Sequence, residues 1–204
     1  MKPDPGQLDA LTELMNIGVG RAAGMLNQMI DSPIELHVPV VKVLKASALA
    51  REIEQPVDEL LSFVRLVFRG AIRGTAALLF PTDSAANLVA ALTDDETSPA
   101  LDSVRAGTLT EVGNIVINGV MGSIGNVLAI PLTYELPAYV EATLAHLFQK
   151  TRESAGADED PTVLVAHTRF TVEHLEIQGT ILLIFEVLSF DALLAAIDAM
   201  AGAE

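Results

Sequence analysis

The side chains best placed to do chemistry in this 204-residue chain are two acid–amide pairs at one spacing: Glu13 with Asn16, and Glu111 with Asn114. Each pair sits in the same phrase, Leu-Thr-Glu-x-x-Asn-Ile, which runs from Leu11 to Ile17 and again from Leu109 to Ile115. Groups three or four residues apart share one side of a helix. Asp9, Glu13 and Asn16 can therefore meet one incoming surface from a rigid support. Asn is a mediocre residue for a helix interior, because its amide competes for backbone hydrogen bonds. Its return at the same place in a second copy asks for a reason.

The elements that must carry these residues are legible as helices over residues 7–30 and 102–128. In the first, Leu8, Leu11, Met15, Gly18, Ala22, Met25, Leu26 and Met29 fall in one arc, with Asp9, Glu13, Asn16 and Gly20 opposite. In the second, Leu109, Val112, Val116, Val120 and Val127 make the stripe, with Glu111, Asn114 and Asn118 opposite. Glycines at 18, 20, 24, 113, 119, 122 and 125 each cost a helix about 1 kcal/mol relative to Ala. Close approach to a sheet or to the other helix is the expected compensation.

The correspondence extends beyond the helices. Pro33 maps to Pro131 and Pro39 to Pro137 with the same offset as Glu13 to Glu111, and Gly74 through Phe80 matches Gly179 through Phe185 with a slightly larger one. An insertion at Thr151 to Pro161, rich in charge and small residues, accounts for the difference. The halves meet at Asp94 to Asp102, where Asp94, Asp95 and Glu96 read as a solvated acidic turn. Strands are expected at Ser62 to Phe68, Ile72 to Phe80, Val163 to Val172 and Gly179 to Leu188. Thr82 or Ser84, and Ser189, are candidate caps for the helices that follow. The expectation is an α+β fold: one domain over residues 1–204, made of two repeats, about 1–100 and 101–204. A pseudo-two-fold axis would relate them, with an antiparallel sheet beneath two long motif-bearing helices.

Composition narrows the chemistry. Half of the residues are apolar and 19% are charged, which suits a well-buried globular chain. Cysteine is absent, which removes disulfides, thiolate metal sites and Cys nucleophiles. A net charge of -15, without a basic stripe, argues against nucleic acid. The opening residues lack a signal-peptide core, and the most apolar run, Gly179 to Phe190, is interrupted by Glu186. A cytoplasmic protein that inserts into no membrane is expected. The four histidines show no paired metal-ligand spacing, Gly122-Ser123-Ile124-Gly125 is not a nucleophile elbow, and Gly18-Val19-Gly20 follows no strand, as a dinucleotide loop would.

Asp9, Glu13, Asn16 and Pro39 match in full the pattern Asp/Ser-x3-Glu-x2-Asn-x22-Pro of the CheC family, to which the chain is therefore similar. The second copy matches at Glu111, Asn114 and Pro137, with Gly107 where Asp or Ser is usual. The resemblance covers essentially the whole chain and is to stand-alone, two-motif members. It implies a phosphatase for the phospho-aspartate of a CheY-like chemotaxis response regulator, acting by positioning a water. It further implies catalytic roles for Glu13, Asn16, Glu111 and Asn114, with Asp9 as a supporting or partner-binding residue. No cofactor or metal of the chain's own is implied, and the Mg2+ belongs to the regulator. The phosphorylated regulator is the implied partner, and CheD is a second partner for some members. The competing expectation is a non-catalytic module of the same fold that sequesters a regulator or CheD.

Overall fold

The computed structural model describes residues 2–28, 33–52, 59–93, 101–146, 160–172, 175–186 and 188–202. Helix α1 spans Pro5–Asn27 and leads into strand β1, Ile34–Lys45. A 3-10 turn at Ala46–Ala48 and the short α2, Leu49–Glu52, precede β2, Leu60–Gly70, and β3, Gly74–Pro81. Helix α3, Thr82–Thr93, closes the first half. The second half runs through α4 (Leu101–Val127), β4 (Leu132–Tyr134), β5 (Ala138–Thr143), β6 (Thr162–Val172), β7 (Leu175–Phe185) and α5 (Ser189–Ala201).

All strand pairings are antiparallel, in the order β1-β6-β7-β3-β2, with β4 and β5 both on the free side of β2. If β1 is matched to β4 plus β5, β2 to β6 and β3 to β7, the order reads the same from either end. The central pairing carries the same relation, because Ala77 lies opposite Leu182, the residue at its own place in the other half. A two-fold contact has that property: the residue at the axis meets its counterpart.

Strand side chains alternate between the two faces. Val64, Leu66, Phe68, Ala76, Leu78, Phe80, Leu164, Phe170, Ile181, Leu183 and Phe185 point into the larger core, under α1, α3, α4 and α5. Leu61, Phe63, Ala77, Leu79, Val163, Val165, Leu182 and Ile184 point the other way and pack with Ala46, Leu49 and Leu144. Because both faces are buried, these strands read as nearly unbroken apolar runs rather than as alternation.

The observed elements differ from the sequence expectations in places with clear causes. Strand β1, which the sequence suggests only as an extended segment closed by Pro39, continues to Lys45, and its ladder with β6 shifts between His37 and Val40. Proline has no N–H to give to a ladder, so Pro39 interrupts pairing without ending the strand. Pro137, its counterpart, falls in the gap between β4 and β5. Both prolines thus break an edge strand, where an unbroken row of backbone groups would invite pairing with another chain. Ser189 is not a cap but the first helical residue of α5, and its Oγ accepts from the Arg73 backbone N–H at 3.1 Å. Thr82 Oγ1 donates to the Leu60 carbonyl rather than capping α3. Met25 and Val127, both assigned to buried stripes, are 50% and 38% exposed and lie in the last turns of their helices. Met29, the acidic turn at Asp94 to Glu96 and most of the insertion lie outside the described residues.

Helices α1 and α4 touch backbone to backbone. A Cβ at Gly18 would stand 2.4 Å from Val120 Cα, and one at Gly119 would stand 2.8 Å from the Gly18 carbonyl oxygen. On its other side α4 is as close to the sheet, since a Cβ at Gly113 would lie 2.4 Å from a methyl of Val64. Gly20 has nothing within 4 Å of its missing Cβ. Gly18→Ala should therefore lower the unfolding free energy by about 1–3 kcal/mol, because backbone cannot yield as a side chain can. Gly20→Ala should raise it by up to about 1 kcal/mol through helix propensity alone. Urea denaturation of the two variants checks the contrast.

Candidate functional site

Helix α1 begins at a reciprocal cap. The Asp4 carboxylate accepts from Gln7 N–H at 2.8 Å, Gln7 Oε1 accepts from Asp4 N–H at 3.0 Å, and Pro5 supplies the preset first helical turn. Gln7 Nε2 also donates to the Asp198 carboxylate of α5 at 2.9 Å, which ties the start of α1 to the last helix. Leu11, Leu14, Met15, Gly18, Val19 and Ala22 then bury one side. Asp9, Glu13 and Asn16 are exposed on the other side, and none of the three side chains has a hydrogen bond or ion pair among the described residues.

Helix α4 is more deeply enclosed. Val112, Ile115, Val116, Ile117, Val120, Met121 and Ile124 are all buried, because α4 packs against α1, α3 and the sheet together. Less of its circumference is left to a partner. Glu111 is exposed, whereas Asn114 and Asn118 are half-buried, and Asn118 Nδ2 donates to Asn114 Oδ1 at 2.6 Å. Gly107, at the place that Asp9 occupies in α1, has open space where a Cβ would stand, so packing does not forbid a side chain there.

The surrounding structure contributes residues that periodicity did not single out. Arg21 reaches across from α1 and donates to Ser123 Oγ of α4 at 3.1 Å, and Ser123 is fully buried. At the start of α4, Arg105 Nη2 donates to Ser62 Oγ at 3.3 Å, and Ser62 Oγ lies 3.2 Å from the Tyr139 hydroxyl. Tyr139 donates in turn to Glu141 at 2.7 Å, and burial pushes its phenol pKa up. This relay anchors the start of α4 to β2 and β5. A long-range polar pair of this kind leaves no mark in local spacing. The only hint for Arg21 is that a lone cation stands among glycines and alanines.

Among the described residues no group of three or more His, Asp or Glu could hold a metal ion. His37 is exposed beside Glu35, His146 is exposed, His167 lies 3.3 Å from Glu52, and His174 is outside the described residues. No described helix is long and apolar enough to cross a membrane.

A sequence model of the CheC-like family matches residues 7–43, the segment holding the first acid–amide pair and the edge-strand proline. CheY-P phosphatase CheC of Bacillus subtilis is 24% identical over 135 residues, and the match spans 64% of this chain and 64% of the length of that relative. Among solved structures, FliY of Thermotoga maritima superposes over 100% of both chains with a TM-score of 0.74 at 16% identity. CheX in a CheX–CheY–BeF3–Mg2+ complex from Borrelia burgdorferi superposes over 86% of this chain and 99% of its own, with a TM-score of 0.50 at 14% identity. The FliM middle domain of Helicobacter pylori has the same fold, at a TM-score of 0.64 and 13% identity over 95% of this chain and 99% of its own.

The Arg21–Ser123 bond makes a prediction of its own. Arg21→Ala leaves a buried hydroxyl short of a donor and should cost about 1–2 kcal/mol of stability. It leaves the exposed faces that carry Glu13 and Glu111 unchanged. A lower urea midpoint, with circular dichroism unaltered in the folded state, is the expected result.

Proposed function

We propose that this chain, which belongs to the CheC family, removes the phosphoryl group from the phospho-aspartate of a CheY-like response regulator. An acyl phosphate is already reactive, so a catalyst needs to place one water in line with the scissile bond more than it needs a nucleophile of its own. In this reading Asn16, and Asn114 in the second copy, hold that water. Its oxygen bonds to phosphorus as the bond to the regulator's carboxylate breaks, and the water's proton leaves with the phosphate or to solvent. Glu13 and Glu111 dock the helices by pairing with a cation at the regulator's active site and draw that cation away from the phosphoryl group. Asp9 supports the first site. The Mg2+ is the regulator's, and this chain supplies no cofactor.

The observation that carries the reading is the first site itself. Glu13 and Asn16 are exposed, have no hydrogen bond or ion pair among the described residues, and are mounted on a helix fixed at Gln7 and Gly18. An unsatisfied acid–amide pair on a rigid support is suited to a partner's groups rather than to its own fold. The named activity of the Bacillus subtilis relative supports the same chemistry. The setting would be the cytoplasm, and CheD is a further candidate partner.

The test is release of phosphate from a phosphorylated CheY-like regulator of the same genome, above its spontaneous rate. Asn16→Ala should lower kcat at the first site by about a hundredfold, or ~2.7 kcal/mol of barrier. Asn114→Ala should cost less, and the double variant should fall to the spontaneous rate. Glu13→Ala should act mainly on KM, since docking precedes the chemistry. Full activity in the double variant would refute the water-holding role. A wild-type chain that binds the regulator without accelerating its dephosphorylation would establish the competing reading, a sequestering module.

A further inference from the structure

The two motif helices differ at one place that bears directly on the amide. In α4, Asn118 stands one turn after Asn114 and donates its Nδ2 proton to Asn114 Oδ1 at 2.6 Å. In α1 the residue one turn after Asn16 is Gly20, and the Asn16 side chain has no hydrogen bond among the described residues. Asn16 is exposed, whereas Asn114 and Asn118 are half-buried.

The consequence follows from the two ends of a carboxamide. A water that attacks phosphorus must keep a lone pair aimed at it, so it is best held through its hydrogens, by an acceptor. The amide oxygen is that acceptor. The amide nitrogen only donates, and it would occupy the lone pair the attack needs. Asn16 can turn its oxygen toward a docked partner. Asn114 has one of its two acceptor positions occupied by Asn118, one turn farther along the helix.

We infer that Asn118 is a positioning residue that acts through Asn114 and tunes the second site down, making the first site the faster of the two. The inference rests on the phosphatase reading and adds to it a determinant within this chain. Packing does not impose the difference, because a Cβ at Gly20 would meet nothing within 4 Å. The two environments can therefore be exchanged by single substitutions.

The experiment isolates each site in the full-length chain. Asn16→Ala leaves the second site alone, and Asn114→Ala leaves the first. Asn118→Ala is added to the former, and Gly20→Asn or the control Gly20→Ala to the latter. The probe is a CheY-like regulator of the same genome, phosphorylated with phosphoramidate in the presence of Mg2+. Asn118→Ala should raise kcat of the isolated second site, and Gly20→Asn should lower kcat of the isolated first site. Each change should be about three- to tenfold, the worth of one hydrogen bond, with KM unmoved. Gly20→Ala should leave kcat unchanged. In the wild-type chain the Asn114 side-chain amide should be ordered by 15N relaxation, and Asn118→Ala should release it, a readout that needs no activity. Two active parents whose kcat values do not respond, or a second site slowed by Asn118→Ala, would overturn the inference and leave the phosphatase reading standing. Parents that are both no faster than spontaneous hydrolysis would overturn the phosphatase reading, and this inference with it.

Discussion

Two helices ordinarily pack with their axes 8–10 Å apart, held off by the side chains between them. Here α1 and α4 close to backbone contact, and they can do so because Gly18 and Gly119 bring no Cβ to the crossing. The same tightness extends downward, where Gly113 lets α4 settle onto Val64 of β2. Once the crossing is fixed, the rotation of each helix is fixed too, and with it the identity of the residues left outside. Glu13 and Asn16 are outward because Gly18 is inward. The helix cost of the glycines is thus offset by a rigid mount for the acid–amide pairs, supported by the Arg21–Ser123 bond across the crossing.

Much of this was legible in the sequence, and the reasons it was legible are physical. The long helices announce themselves by periodicity, and their ends agree with the structure to within three residues: 7–30 against Pro5–Asn27, and 102–128 against Leu101–Val127. The offset between matched segments brings Gly74 and Gly179 into correspondence, and the sheet order is symmetric under the same matching. Edge strands were harder to read. The extent of β1 was hidden because Pro39 resembles a terminator, and only the register shows that it interrupts pairing with β6. The enclosure of α4 was equally hidden. Its Ile115, Ile117 and Met121 lie outside the single stripe that periodicity suggests, because three neighbours bury it from different sides.

The acid–amide pairs were found by spacing, yet their difference was not. Asn118 could be placed on the outward side of α4, but its bond to Asn114 depends on rotamers that a spacing argument does not contain. Gly107 and Gly20 show the complementary case, positions with open space where the two copies simply differ. Local sequence therefore locates the acid–amide pairs, and the helix surface around them sets how each amide is presented.

The outward faces of α1 and α4 are proposed here as the surface on which a response regulator docks. The most direct test is an NMR titration of the 15N-labelled chain with an unlabelled CheY-like regulator activated by beryllofluoride and Mg2+. Docking there should perturb signals from Asp9, Glu13, Asn16, Glu111 and Asn114, with little change along the edge strands or the strand face that carries Phe63 and Leu182. Perturbations confined to an edge strand or to that opposite face, with both motif helices silent, would contradict it.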